Sequence, residues 1–402
     1  MPDEARTPLA IGLLTHSVNP RGGVVHTLEL ADALHERGHR VTVFAPAFAG
    51  QALFRPTRCA VELVALTERT NSVVDMVATR RAAFVQHLER TLATRHFDVL
   101  HAQDGIGGNA LADLVEAGRI EGFTRTVHHL DHFDDARLMT WQARAFTAAS
   151  QVLCVSRTWC DRLAADFGVA ARLVHNGVDL RRYTNRPTAQ DAAVVARHGL
   201  RPGGPVFLAV GGVEERKNTL RMLQAFLAFR VHRPAAQLVI AGGASLLDHD
   251  AYGRQFAALL AASGAGNDVV MTGTVPDEDM PALFRAADAL LMASLREGFG
   301  LVVLEALASG TPAVVSRIAP FTEYLPEDER MGHCCWADPH SVDAITAAMA
   351  RACDPAHARA LATATPAVCE RFSWQASAAA HEALYRARCA GSRAQAALRL
   401  QA

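Results

Sequence analysis

The sequence predicts an α/β protein made of two successive series of βα units. Three observations carry this. Short apolar runs recur along the chain, each followed by a glycine-bearing turn and then by helical spacing. A stretch containing Pro187, Pro202, Gly203 and Gly204 separates one series from the next, as a linker would. Finally, Ala289-Leu290-Leu291-Met292-Ala293 reads as a buried strand, Arg296-Glu297-Gly298-Phe299-Gly300 as a turn, and Leu301 to Ser309 as a helix stopped by Gly310. Strand, turn and helix in repetition make a parallel sheet the economical result.

Composition narrows the class. A chain of 402 residues allows two or three domains and a large core, and 50% hydrophobic residues exclude a disordered chain. The formal net charge of −1 offers no global field for nucleic acid. Eight Cys occur without a CxxC pair, and no signal peptide is evident, so a reduced, cytoplasmic setting is expected. No apolar run is long enough to cross a membrane, which leaves only peripheral membrane contact open.

In chain order, Leu9 to Leu14 is the first strand, Thr15 to Gly23 a turn-rich loop, Val24 to Arg37 a helix ending at Gly38, and Val41 to Phe44 the second strand. Gly22-Gly23 at a helix start either lets a ligand approach the backbone or makes a plain tight turn. Residues 50–95 are mixed, with a helix from about Val74 to Thr94 bearing Arg80, Arg81 and Arg90, and Arg95 beyond it. A solvated helix face explains them more simply than phosphate binding. Phe97 to Asp104 is a strand entering a polar loop, so Gln103, Asp104, Gly105, Gly107 and Gly108 point to a ligand-binding edge. The loop after Val127 holds His128, His129, His132, Asp131, Asp134 and Asp135. Neighbours this close would crowd a metal ion, and no metal site is expected. Gln151 to Ser156 is a buried strand, with Cys154 in the core and Cys160 on the next helix. The strand near Leu173 ends at Asn176-Gly177.

The second series starts at Val206 to Val210. Its loop, Gly211-Gly212-Val213-Glu214-Glu215-Arg216-Lys217-Asn218, precedes a helix from Thr219 to Phe229. Arg and Lys beside glycines at a helix start form either a diphosphate clamp or an ordinary exposed capping turn. Strands at Gln237 to Ala241, Val269 to Gly273 and Thr311 to Ser316 follow, and a helix after Trp374 runs to about Ala390, with 391–402 loose. Glu297 and Glu305 would lie roughly 12 Å apart along a helix axis, too far for a hydrolase pair on one bond. They suit two ends of an extended ligand with a phosphate between them.

The E-x7-E stretch from Glu297 to Glu305, Gly22-Gly23, Thr126-Val127-His128, Asn176-Gly177-Val178-Asp179 and Lys217 together resemble family 4 of the retaining glycosyltransferases over nearly the whole chain. The resemblance implies the GT-B fold: two Rossmann-like doubly wound domains facing a cleft. The domains would be 1–185 on the acceptor side, 186–370 for the nucleotide sugar, and 371–402 as a helix returning to the first. It implies Glu297 and His128 as catalytic residues at the donor sugar. Donor binding would fall to Gly23, Arg216, Lys217, Gly298, Phe299, Gly300, Leu301 and Glu305, with Glu305 on the ribose. Gly212 stands where the family usually has Arg, and Arg216 is the candidate to take over that charge.

The reaction so implied moves a sugar from a UDP- or GDP-sugar to an acceptor hydroxyl with retention, and no metal or cofactor is required. The acceptor, a sugar, lipid or small molecule, is not named by the sequence. Two rivals remain: a GT-B sugar-nucleotide epimerase, which needs no acceptor, and a non-catalytic nucleotide-sugar-binding protein with a degraded clamp at Gly212.

Overall fold

A computed structural model describes residues 7–243, 250–325 and 334–401. Internal contacts divide the chain into two units, residues 1–176 with 374–402, and residues 177–373.

The first unit holds strands β1 (Ala10–Leu14), β2 (Arg40–Phe48), β3 (Ala60–Leu66), β4 (Val99–Ala102), β5 (Thr124–Val127), β6 (Gln151–Cys154) and β7 (Ala171–Leu173). They form one sheet in the order β3-β2-β1-β4-β5-β6-β7, with every pair parallel. Its helices are α1 (Gly22–Glu36), α2 (Val73–Leu92), α3 (Gly105–Glu116), α4 (Ala136–Thr147) and α5 (Arg157–Phe167). Central strands such as β1 are buried at every position, because helices cover both faces; hence the continuous apolar runs. The edge strand β3 is apolar at six of its seven positions, yet Val61 and Leu63 are exposed and only Val64 and Leu66 are buried.

The second unit contains α6 (Asp191–Arg197), β8 (Val206–Val210), α7 (Thr219–Arg230), β9 (Gln237–Ala241), α8 (Asp250–Ser263), β10 (Val269–Gly273), α9 (Met280–Ala286) and β11 (Ala289–Met292). It continues with α10 (Leu301–Ala308), β12 (Ala313–Ser316), α11 (Phe321–Tyr324), β13 (Cys335–Ala337), α12 (Val342–Ala352) and α13 (Pro355–Arg371). Its sheet runs β10-β9-β8-β11-β12-β13, again all parallel. Both sheets have the doubly wound order, reversing direction between β1 and β4 in one and between β8 and β11 in the other. These are the two parallel, helix-flanked sheets of the GT-B fold.

The last helix, α14 (Trp374–Gln401), belongs to the first unit and extends past the expected end near Ala390. Trp374, Ala378, His381 and Tyr385 on it are buried, at the spacing of one helix face.

Several polar residues turn out to serve packing. Arg81 grips Asp113 through Nε and Nη2, Arg80 donates to the His16 carbonyl, and Arg95 pairs with Glu62, so these arginines of the α2 region are engaged within the unit. Gly107 and Gly108 lie inside α3, where a Cβ would come within 3.1 Å of Leu14 Cβ and 2.9 Å of the Ala145 carbonyl oxygen. They admit close helix packing rather than a ligand. None of the eight cysteines, all among the described residues, forms a disulfide. Among the described residues, no helix is long and apolar enough to cross a membrane.

Candidate functional site

In doubly wound sheets, ligands bind beyond the carboxyl ends of the strands where the order reverses. In the second unit that point lies between the loop after β8 and the loop after β11, and these loops carry Arg216, Lys217 and Glu297. Lys217 Nζ donates to Glu297 Oε2 at 2.7 Å, and Arg216 Nη1 donates to Oε1 at 3.1 Å. The Gly298 N–H donates to Oε1 at 3.2 Å. Burial alone would raise the Glu297 pKa, but the two cations and these hydrogen bonds hold it at about 2. It is therefore ionised throughout the physiological range.

The local backbone brings these groups together. Leu295 N–H donates to the Arg216 carbonyl at 2.9 Å, tying the loops to each other. Asn218, the one non-glycine residue with positive φ among those described, donates from Nδ2 to the carbonyls of Ala293 and Pro339 at 2.9 and 2.7 Å. At Gly212 a Cβ would lie 2.6 Å from the Gly243 carbonyl oxygen. A side chain does not fit there, and the second cation reaches Glu297 from Arg216, four positions along the loop.

The turn that follows starts α10. Gly300 has φ +85°, and a Cβ on it would clash with Phe321 Cε1. Gly298, Gly300 and Leu301 bring backbone N–H groups to the helix start, where an anion is favoured. The Phe299 ring is buried and stacked on Tyr324, with centroids 4.7 Å apart, so its side chain packs and only its backbone lines the turn. Glu305 is buried on the same helix, and its charge reinforces that of Asp277 at the Arg182 guanidinium.

In the first unit, the reversal point lies between the loop after β1 and the loop after β4. Gly23 opens α1 there, and a Cβ on it would sit 3.8 Å from His128 Cδ2, so Gly23 and His128 are neighbours. His128 Nε2 lies 3.3 Å from Gln103 Oε1, and its ring stands edge-on to His26 at 4.6 Å between centroids. Burial, then the neighbours His26 and Arg125, push the His128 pKa well below 6.5. Elsewhere in this loop, His129 pairs with Asp131 at 3.2 Å, and Asp135 caps α4.

The sequence reading passed over His26, Asn176 as its partner, and Asn218. His26 sits one turn past Gly23, and Asn218 immediately precedes α7. Each position was visible, but its partner comes from a distant part of the chain.

The family model described as Glycosyltransferase Family 4 matches residues 20–182, and that described as Glycosyl transferases group 1 matches residues 192–364. The GDP-mannose-dependent alpha-(1-6)-phosphatidylinositol dimannoside mannosyltransferase of Mycobacterium tuberculosis is 30% identical over 319 residues, which cover 74% of this chain and 76% of the relative. The sucrose-phosphate synthase of Thermosynechococcus elongatus superposes with a TM-score of 0.78 at 21% identity, over 95% of this chain and all of that one. The Anabaena protein HepE, solved in complex with UDP-glucose, gives a TM-score of 0.72 at 18% identity over 96% of this chain and all of that one.

Proposed function

This chain belongs to the family 4, or group 1, glycosyltransferases, and we propose that it moves the sugar of a nucleoside diphosphate sugar to an acceptor hydroxyl with retention and without a metal. The observation that supports this best is the pairing of one carboxylate, Glu297, with two cations at the reversal point of the second sheet. A donor diphosphate carries the charge that Lys217 and Arg216 now compensate on Glu297. On binding, the phosphates take over the two cations and the α10 start, and Glu297 is released to the sugar hydroxyls. Glu305 accepts the two hydroxyls of the ribose, and His128 meets the sugar.

Without donor, Glu297 is ionised, with its pKa held at about 2 by Lys217 and Arg216, so it carries no proton to donate. In this reading its carboxylate, once the phosphates take the cations, steadies the sugar hydroxyls and forms no bond to the sugar carbon. The departing phosphate takes the proton of the incoming hydroxyl on the same face of the sugar, which retains the configuration. The degraded-clamp alternative rested on Gly212, and a second cation, Arg216, beside Lys217 on Glu297 counts against it.

The test begins with UDP-glucose and GDP-mannose, the donors named for the HepE complex and for the mycobacterial relative. Thermal shift identifies the donor that binds. Proton NMR of the transfer product then reads its anomeric configuration, with and without a chelator. Inversion, loss of activity with chelator, or release of an altered sugar without acceptor would each overturn the corresponding part of the proposal. Glu305→Gln is expected to weaken donor binding by about tenfold while leaving inorganic diphosphate binding unchanged.

A further inference from the structure

In the first unit a run of buried polar side chains ends at His128. Tyr385 Oη lies 2.6 Å from His101 Nδ1, and Thr126 Oγ1 lies 2.8 Å from His101 Nε2, so hydroxyls occupy both nitrogens of His101. Gln103 Nε2 sits 3.3 Å from each of those nitrogens, and its Oε1 is the atom that reaches His128 Nε2, also at 3.3 Å. A carbonyl oxygen only accepts, so this contact requires the proton on Nε2 of His128.

The groups that face His128 keep it neutral. Burial acts most strongly, and His26 from α1, Arg125 from β5, the adjacent His129 and His101 from β4 act in the same direction. A neutral imidazole has one N–H, so with Nε2 protonated Nδ1 carries a lone pair. Nδ1 has no hydrogen-bond partner among the described residues. The ring cannot swing freely: His26 packs edge-on against it, and His26 is itself fixed by Nδ1 at 2.8 Å from Asn176 Oδ1.

We propose that Gln103 is a positioning residue that fixes His128 as the Nε2–H tautomer and so presents Nδ1 to a ligand hydroxyl as a hydrogen-bond acceptor. The identity of that hydroxyl, on the donor sugar, rests on the function proposed above; the tautomer does not. In this state His128 accepts a hydrogen bond from the sugar and gives no proton away. The opposite amide orientation would place the Gln103 NH2 on His128 Nε2 and force the proton to Nδ1, turning an acceptor into a donor.

The experiment uses the full chain labelled with 15N-histidine. The His128 imidazole signals are identified by their loss in His128→Ala, and two-bond 15N–1H correlations report the tautomer. In the wild type we expect a protonated Nε2, an unprotonated Nδ1 and no titration between about pH 8 and about pH 6. Gln103→Leu removes the acceptor, so a second tautomer should be populated. Gln103→Glu keeps the shape and should raise the His128 titration by at least about one pH unit, which leaves the test decisive if the leucine variant fails to fold. A proton on Nδ1 in the wild type, or wild-type His128 signals in both Gln103 variants, would overturn the proposal. Turnover of UDP-glucose and GDP-mannose is measured in parallel. Gln103→Leu should lower kcat about tenfold with little change in KM, as a misdirected contact would. Full turnover in His128→Ala alongside the expected signals would keep the tautomer assignment and remove the sugar reading.

Discussion

Glu297, with its pKa held at about 2 against an ordinary 4.5, stores part of the stability of the second unit. The sign follows from the direction of the shift. The contribution is full above about pH 4.5, is lost as pH falls toward 2, and amounts to about 3 kcal/mol at neutral pH. Lys217→Ala removes one of the two cations that hold this buried carboxylate. It should therefore reduce thermal stability as well as weaken UDP or GDP binding by at least about tenfold. Glu297→Gln acts differently, because it removes the group that competes with phosphate for both cations. We expect diphosphate affinity by calorimetry to be equal to wild type or tighter, while kcat falls by roughly two orders of magnitude. Weaker UDP and GDP binding in Glu297→Gln would show that the carboxylate organises the cations for phosphate rather than competing with it. The residues themselves were legible in the sequence, since Glu, Arg and Lys stand beside glycines near helix starts. Their mutual contact was not: Lys217 and Glu297 are 80 positions apart and meet only because β8 and β11 are neighbours.

Elements set where these groups can stand. The loop after β8 passes so close to Gly243 that Gly212 has no room for a Cβ, and Gly300 combines φ +85° with the Phe321 ring at its back. Gly300→Ala should cost about 1–3 kcal/mol from backbone strain alone and more from the clash. Gly212→Arg, which writes the usual family pattern into this chain, should lower the melting temperature and not improve diphosphate binding. Gly253→Ala in α8 is the control: nothing lies within 4 Å of the added methyl, and it should be neutral or stabilising. Tighter diphosphate binding in Gly212→Arg would show that the loop can open and that the usual arginine position is still functional. The sequence marked both glycines as turns. It could not distinguish a glycine chosen for φ from one chosen for the closeness of another backbone, because the second depends on a strand elsewhere in the sheet.

For the molecule as a whole, the first unit depends on its last helix and on buried neutral histidines. His26 and His381 have pKa values lowered to about 3 and about 4, chiefly by burial. The unfolded chain takes up protons near pH 6.5 and the folded one does not, so stability falls as pH drops from about 6.5 toward 4. Each histidine contributes a loss of a few kcal/mol over that range. A melting temperature that drops steeply between pH 7 and pH 5 is the expected result, and a flat profile would mean that water reaches these rings. Tyr385→Phe leaves one nitrogen of His101 without its hydroxyl partner and should cost about 1–3 kcal/mol. Ending the chain before Trp374 uncovers the face of the first unit that Trp374, Ala378, His381 and Tyr385 fill, and that product should be poorly soluble.

Periodicity and glycine placement in the sequence determined the two βα series, the strands buried on both faces, and the turns that carry Arg216, Lys217, Glu297 and His128. These are local properties: a strand covered on both sides must be apolar throughout, and a sharp turn at a helix start selects glycine. The edge strand β3, the packing role of Gly107 and Gly108, the burial of the Phe299 ring, and the partnership of Gln103 with His128 were decided only by the tertiary structure. The sequence of β3 is apolar at six of seven positions, and only the sheet order makes it an edge strand that leaves Val61 and Leu63 exposed. A buried amide or imidazole takes its role from whichever group the fold brings within hydrogen-bond reach, and Gln103 and His128 directly follow the neighbouring strands β4 and β5, 25 residues apart in the chain. Sheet order fixes that adjacency, and sheet order is a property of the assembled core.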